Sequence, residues 1–181
     1  MNSDKTRSVV VIFGKTGTGK SYFAKEYIKN FDRVIICDPK HEYNGLIFTS
    51  YLDVAEYYKE ERPEKFIFVC RFEKDIDYNY LFKLALIIED LLLVVEEAEI
   101  YISPGSRSSA FLDCVRYGRH HGISLLGIAR RATELSIDFK AMCDSIISFK
   151  QNFPRDIKTM QEMGFEGLEN LPDYKYIQID F

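Results

Sequence analysis

The stretch VVVIFGKTGTGKSYFAKEYIKNF (residues 9–31) joins an apolar run, a glycine-rich loop and a segment with helical spacing. Within it, residues 14–21 read GKTGTGKS and match the phosphate-binding pattern G-x-x-x-x-G-K-[ST] at every fixed position. This pattern works between a strand and a helix, and the flanking residues predict both elements. The stretch therefore predicts a phosphate-binding loop at the edge of an α/β sheet.

The residues of this loop have separate expected roles. Its glycines let backbone N–H groups approach phosphate oxygens, and the helix that follows adds its positive dipole end. Lys20 is expected to reach the β- and γ-phosphates, and the Ser21 hydroxyl to bind Mg²⁺. The predicted ATP-binding residues are Gly14, Lys15, Thr16, Gly17, Thr18, Gly19, Lys20, Ser21 and Tyr22.

The same alternation of apolar runs and helical segments continues to the end of the chain. Strands are predicted at residues 8–13, 33–38, 46–49, 66–73, 91–96, 123–129, 145–150 and 174–181, and the longer helices at 20–31, 51–61, 77–90, 110–121 and 154–164. Near-continuous apolar strands between helices indicate a mostly parallel central sheet in a three-layer α/β/α arrangement. The last strand alternates apolar and polar residues, as edge strands do. With no repeat or linker visible, we expect one domain over residues 1–181.

Composition excludes several classes of protein. The 181 residues carry a net charge of -4, so a DNA contact would need a local basic patch. No apolar run reaches the roughly 18 residues of a membrane span, and the polar start of the chain shows no secretory signal. The four scattered cysteines favour neither a metal site nor a disulfide framework. We therefore expect a cytoplasmic protein.

An acidic pair follows the predicted strand in LLLVVEEA (residues 91–98). Because this strand ends at the same edge as the loop, we assign Glu96 to the Mg²⁺ shell, directly or through water. Glu97 would polarise an attacking water molecule. Aspartate is the usual residue at the first position, so Glu96 is a departure. The alternative is an acidic helix start, which the helix dipole favours.

Arginines concentrate in the third quarter of the chain. Residues 107–131 contain five arginines and a single acid, Asp113, although the chain as a whole is acidic. Arg116 and Arg119 lie three residues apart and would share one face of a predicted helix. Arg130 follows a strand at the edge where α/β sheets bind ligands. The alternative is a solvated basic helix whose arginines pair with nearby acids.

The motifs also narrow the class of nucleotide-binding protein. No N-K-x-D motif is present, which excludes the usual base-reading element of a GTPase switch. A small-molecule kinase, the least favoured alternative, does not need paired carboxylates, because its acceptor substrate is the nucleophile. A glutamate that orients water favours ATP hydrolysis.

Four stretches, in this order, resemble the HerA/FtsK superfamily of P-loop ATPases, the ring motors that pump DNA. They are GKTGTGKS, IICDPKHEY (residues 35–43), LLLVVEEA and RYGRHHGISLLGIARRATEL (residues 116–135). The resemblance implies a RecA-like core in which Arg116 or Arg119 reaches the ATP of a neighbouring subunit, as an arginine finger does. The sensor glutamine of the family falls on Arg130, which would contact the γ-phosphate as a charge.

The resemblance also implies partners. A bare core of this size is similar to viral and phage genome-packaging ATPases, which implies double-stranded DNA, a pentameric or hexameric ring of identical subunits, and contacts with capsid or portal proteins. Its place would then be the host cytoplasm or the virion. A Zot-like phage assembly ATPase and a HerA-like repair ATPase acting with a nuclease remain alternatives. The loop SPGSRSSA (residues 103–110) suits DNA phosphate contacts, although an ordinary surface loop explains it equally well.

Overall fold

The computed structural model describes residues 7–102 and 108–181, and its eight strands form one sheet in the order β3-β4-β2-β5-β6-β1-β7-β8. The strands are β1 (Val9–Phe13), β2 (Arg33–Cys37), β3 (Leu46–Phe48), β4 (Phe66–Cys70), β5 (Leu92–Val95), β6 (Ser124–Ala129), β7 (Ser145–Phe149) and β8 (Tyr176–Asp180). All neighbouring pairs are parallel except β7 and β8. The mostly parallel sheet and the edge position of the C-terminal strand are confirmed.

In the described part of the chain, seven α-helices connect these strands. They are α1 (Lys20–Ile28), α2 (Tyr51–Glu61), α3 (Asp75–Ile88), α4 (Glu99–Ile102), α5 (Ser109–Tyr117), α6 (Ile137–Ala141) and α7 (Pro154–Glu162). Serine side chains cap the first turns of α2, α5 and α6, and proline opens α7, where its missing N–H has no intrahelical partner to lose. Within the described ranges, no helix combines the length and apolarity of a membrane span.

The sheet is buried on both faces, which explains its uninterrupted apolar strands. In β1, Val10 and Ile12 pack against α1, whereas Val9, Val11 and Phe13 pack into the larger core formed with the other helices. Successive side chains of a strand point to opposite faces, so both faces must be apolar when both are covered. The three-layer α/β/α arrangement is confirmed.

The register of the central strands brings the sequence motifs to one edge. Phe13 pairs with Ala129, and Val95 pairs with Gly127, so β1, β5 and β6 end side by side. The next residues along the chain are Gly14, Glu96 and Arg130. We call this the carboxyl edge of the sheet, and the opposite one the amino edge.

The helix predicted over residues 110–121 is shorter than expected. The α-helix ends at Tyr117, and residues 118–121 form a tighter 3-10 turn. Gly118 packs so closely on Ile123 that an added Cβ would lie 3.3 Å from the Ile123 Cβ. This contact turns the chain sharply into β6. Arg116 and Arg119 therefore do not share one face of a single α-helix, which corrects the expectation.

Candidate functional site

The loop of residues 14–19 closes around its own lysine. The Lys20 Nζ donates hydrogen bonds to the carbonyl oxygens of Gly14 at 2.7 Å and Lys15 at 3.1 Å. Burial lowers the pKa of Lys20, and the nearby Glu96 charge opposes that shift. Gly17 and Gly19 have φ angles of 84° and 112°, which are unfavourable for other residues. The lysine is thus held where incoming phosphate oxygens would replace the two carbonyls.

A cleft of about 270 Å³ lies directly on this loop. Its lining residues are Thr16, Gly17, Gly19, Lys20, Ser21, Tyr22, Lys40, Glu42, Glu96, Arg130 and Tyr174. An adjoining depression of about 390 Å³ shares Thr16 and Arg130 with it. A larger cavity of about 810 Å³ lies between α6 and α7, but no loop residue lines it, so the smaller cleft is the candidate site.

Glu96 is a buried carboxylate beside the lysine. Only 2% of its surface is exposed, and its Oε1 accepts a 2.6 Å hydrogen bond from the Tyr43 hydroxyl. Burial raises the pKa of Glu96, and the Tyr43 hydrogen bond partly opposes the rise. A buried carboxylate near a buried ammonium is a costly arrangement, and such arrangements cluster at functional sites.

The segment between β2 and β3 positions Tyr43. Asp38 is fully buried and accepts hydrogen bonds from the backbone N–H groups of Glu42 at 2.8 Å and Tyr43 at 3.2 Å. The Arg71 Nε donates to the same carboxylate at 3.0 Å, and its Nη2 donates to the Tyr43 carbonyl at 2.7 Å. These four hydrogen bonds fix the shape of the turn, which presents Lys40 toward the cleft.

Glu97 stands at the cleft between two cations. Its Oε1 lies 3.1 Å from the Lys40 Nζ and 3.6 Å from the Arg130 Nη2. Its backbone has a φ of 52°, a left-handed conformation that costs a non-glycine residue on the order of 1 kcal/mol. Surrounding structure must hold the residue there, and such local strain is typical of functional positions.

Arg130 links the acids of this edge. Besides Glu97 it contacts Glu99, with 3.4 Å between its Nε and the Glu99 Oε1. The other Glu99 oxygen, Oε2, is buried without a hydrogen-bond partner among the described residues. Arg130 stays half-exposed, whereas Arg131 is fixed by the buried Asp156 and stacks over the Phe153 ring. Arg130 is therefore the arginine that can move toward a ligand.

The carboxyl edge collects most of the predicted site but not all of it. The loop residues, Glu96 and Arg130 line one cleft, and Glu97 reaches it through Lys40 and Arg130. Arg119 instead lies at the amino edge, where it forms an ion pair with Asp144. The exposed Arg116 makes no side-chain hydrogen bond or ion pair with the described part of the chain. Neither arginine lines the cleft of its own subunit.

The structure describes only the last residues of the predicted DNA-contacting loop. Residues 103–107 lie outside the described residues. The Ser108 hydroxyl accepts a hydrogen bond from the Phe111 N–H and donates one to the Asn79 side chain. Ser108 therefore caps α5, and the predicted contact of this loop with DNA phosphates stays a prediction.

The oxygen donors in the cleft fit a magnesium ion. Ser21, Glu96 and Glu42 offer a hydroxyl and two carboxylates, the hard ligands that Mg²⁺ prefers. No group of three acids, histidines or cysteines in the described ranges could hold a metal by itself. The donor set therefore suits an ion that keeps water ligands and shares phosphate oxygens with a nucleotide.

Sequence reasoning missed three residues that line the cleft, Lys40, Glu42 and Tyr174, and it missed Tyr43, which donates a hydrogen bond to Glu96. Lys40 and Tyr43 were within the quoted stretch IICDPKHEY, but nothing in the letters assigned them a charge partner or a hydrogen bond. Tyr174 carried no signal, because it lies more than 150 residues from the loop in sequence. Its place in the cleft depends on a backbone hydrogen bond to Thr18, which only the folded chain reveals.

One family profile and several solved structures resemble this chain. The sequence profile described as "Helicase HerA, central domain" matches residues 3–112. No curated protein sequence matches the chain significantly. The genome packaging NTPase B204 from Sulfolobus turreted icosahedral virus 2, in complex with AMP, superposes with a TM-score of 0.81 and 22% identity over 99% of this chain and 94% of that one.

Two bacterial structures show the same fold with fewer identities. VirB4 of Thermoanaerobacter pseudethanolicus has a TM-score of 0.65 and 17% identity over 99% of this chain and 90% of that one. The N-terminal domain of zonular occludens toxin from Neisseria meningitidis has a TM-score of 0.53 and 14% identity over 81% of this chain and 78% of that one. All of these likenesses establish a P-loop NTPase fold.

Proposed function

We propose, from the premise that this chain belongs to the HerA helicase central-domain family, that it is a Mg²⁺-dependent ATPase motor which translocates double-stranded DNA during viral genome packaging. The hydrolytic part is carried by Glu97, a strained carboxylate held by two cations beside the phosphate loop. A carboxylate at this place orients water, which a kinase does not require.

The packaging part is supported by the relatives. The NTPase B204 is described as a genome packaging enzyme, and its structures with AMPPCP and ATP-gammaS align with 96% of this chain. Those ligands are triphosphate analogues, so they support ATP as the substrate here. Family membership supports a double-stranded DNA track and a ring of identical subunits, with capsid or portal proteins as further partners.

In this function, the lysines and the arginine of the cleft exchange their present oxygen partners for the phosphates of ATP. Lys20 gives up its bonds to the Gly14 and Lys15 carbonyls and binds the β- and γ-phosphate oxygens. Ser21 and Glu96 would hold Mg²⁺, which would supply positive charge against the phosphates. Lys40 and Arg130 turn from Glu97 to the γ-phosphate, whose negative charge is larger than that of one carboxylate. Glu97 is then free to accept a hydrogen bond from the attacking water.

Hydrolysis is tested by two substitutions in the cleft. Lys20→Ala should weaken ATP binding and abolish turnover, because it removes the cation that bridges the phosphates. Glu97→Gln should bind ATP at least as well as the wild type but lose about 100-fold or more in turnover, because an amide is a poor base. Glu166→Gln, at an exposed position, is the matched control. Normal turnover by Glu97→Gln would refute the assigned role of Glu97.

Translocation is tested by the response of turnover to DNA. ATP hydrolysis by the assembled protein should rise with long double-stranded DNA and rise less with short duplexes at equal nucleotide concentration, because a moving motor leaves short tracks quickly. Single-stranded DNA is the control, because it is also a polyanion but is not a duplex. Turnover that ignores DNA in every oligomeric state would contradict the motor and favour a small-molecule kinase or a protein-assembly ATPase.

A further inference from the structure

Two tyrosine side chains meet edge to face at the mouth of the cleft. Tyr22 is in the first turn of α1, and Tyr174 is in the turn before β8. Their ring centroids are 6.3 Å apart and their planes are nearly perpendicular, at 89°. They are 63% and 64% exposed, so neither ring is used to fill the core. Exposed tyrosines are ordinary singly, but these two line the same cleft as Lys20.

Tyr174 is fixed to the phosphate loop by its backbone. Its N–H donates a 2.9 Å hydrogen bond to the Thr18 carbonyl. A Cβ added to Gly19 would lie 2.9 Å from the Tyr174 Cδ1 and 3.1 Å from its Cα, so the tyrosine lies directly on the glycine. Tyr174 also has a left-handed φ of 64°. A strained backbone therefore holds an exposed aromatic ring against the loop, and no core packing accounts for that ring.

The polarity of the cleft indicates what this pair would contact. Lys40 and Arg130, with Glu97 between them, mark the end at which the γ-phosphate is expected. Tyr174 lies on Gly19 and its ring contacts Tyr22, and neither tyrosine takes part in the ion pairs around Glu97. A nucleoside triphosphate bound along the loop with its γ-phosphate at Glu97 would place its sugar and base beside the two rings.

We infer that Tyr22 and Tyr174 form a stacking clamp for the nucleobase, with Tyr174 as the principal platform. This inference rests on the proposed function, because it takes a nucleoside triphosphate as the ligand. Stacking requires a π face and no particular hydrogen-bond pattern, so the clamp binds the base without selecting a particular one. It contributes to binding of the nucleoside and not to binding of the phosphates.

The test compares ATP with inorganic tripolyphosphate, which has the phosphates but no base. Binding is measured by calorimetry without Mg²⁺, so that hydrolysis does not interfere. Tyr174→Ala should weaken ATP binding about tenfold and leave tripolyphosphate binding unchanged, since stacking on one aromatic ring is worth about 1–3 kcal/mol. Tyr22→Ala should act in the same direction, and Tyr174→Phe should retain wild-type affinity.

Tyr117→Ala is the matched control, because this tyrosine is 52% exposed but is the last residue of α5, away from the cleft. Unchanged ATP affinity in both Tyr174→Ala and Tyr22→Ala overturns the clamp. An equal loss of ATP and tripolyphosphate binding in both variants also overturns it, because the tyrosines would then only support the loop. If the wild type binds neither ligand and hydrolyses no ATP when Mg²⁺ is present, the proposed ATPase function fails instead.

Discussion

At the scale of single residues, Glu96 combines a structural cost with an expected role. Its carboxylate is almost fully buried, and its hydrogen bond to Tyr43 does not offset the burial, since the pKa remains raised. Two cations, Lys20 and Lys40, act on it electrostatically, and both favour its charged form. A protein optimised only for stability would place a neutral group here.

Glu96→Gln should therefore stabilise the nucleotide-free protein at neutral pH while reducing Mg²⁺-dependent turnover. Glutamine keeps the volume and an oxygen for the Tyr43 hydroxyl but removes the buried charge. Because the folded protein holds the Glu96 proton more tightly than the unfolded chain, wild-type stability falls as pH rises through the raised pKa. The advantage of the variant should thus be a few degrees in Tm at neutral pH and vanish in acid.

Thermal unfolding across acidic to neutral pH provides this measurement. Tyr43→Phe is a useful comparison, because it removes the hydrogen bond and leaves the carboxylate buried, which should destabilise the protein at neutral pH. A glutamine variant that is less stable than the wild type at neutral pH would show that attraction to Lys20 and Lys40 outweighs the cost of burial.

At the scale of elements, short polar turns determine where the functional groups point. The Asp38 carboxylate organises the turn that presents Lys40 and Tyr43. Ser108 has a comparable role at α5, since it caps the helix and joins it to Asn79 of α3. Both turns are held by side-chain hydrogen bonds to backbone N–H groups, so their shape depends on single residues.

Ser108→Ala should lower the stability of the protein by about 1 kcal/mol, because it removes the N-cap of α5 and leaves Asn79 without that partner. For a chain of this size the loss corresponds to roughly 2–4 °C in Tm. ATP binding should not change. Calorimetric unfolding measures the effect, and the neighbouring exposed Ser109→Ala is the control. An unchanged Tm with reduced DNA stimulation would instead support Ser108 as a DNA contact.

At the scale of the whole molecule, the two edges of the sheet carry different halves of the proposed site. The phosphate loop and the acids lie at the carboxyl edge, whereas Arg119 lies at the amino edge and Arg116 is the second-last residue of α5. Arg119 already has Asp144 as a partner, which in turn accepts a hydrogen bond from the Val9 N–H. Arg116 is therefore the better candidate for a finger that completes the site of a neighbour.

Mixing two inactive variants should restore activity if the site is shared between subunits. Lys20→Ala lacks a working loop but keeps Arg116, and Arg116→Ala has the reverse defect. At equal amounts, about a quarter of the contacts in a randomly mixed ring pair an intact loop with an intact arginine, so about a quarter of wild-type turnover should return. Arg119→Ala should lower the stability of the protein more than its turnover. Wild-type turnover per subunit should fall when the protein is diluted.

Steady-state turnover of the mixture measures this effect. Each variant alone at the same total concentration is the baseline. A mixture no more active than its components would contradict a trans-acting Arg116, and so would wild-type turnover per subunit that stays constant far below the concentration at which the protein assembles.

The sequence by itself determined the fold class and most of the residues that line the cleft. Apolar strands between helices specify a parallel sheet covered on both faces, because burial on both sides demands apolar residues at every position. The GKTGTGKS loop and the acids Glu96 and Glu97 were identifiable because each follows such a strand directly, and parallel strands end at a common edge. The HerA resemblance seen in the motifs was confirmed for residues 3–112.

Only the tertiary structure decided which distant groups complete that edge. Tyr174 reaches the loop through one backbone hydrogen bond, and Lys40 meets Glu97 through a turn that the buried Asp38 holds. Ser108 proved to be a helix cap, and Gly118 ended α5 early by packing on Ile123. Local patterns report periodicity and motif, whereas these contacts depend on strand order and on close packing between residues far apart in the chain.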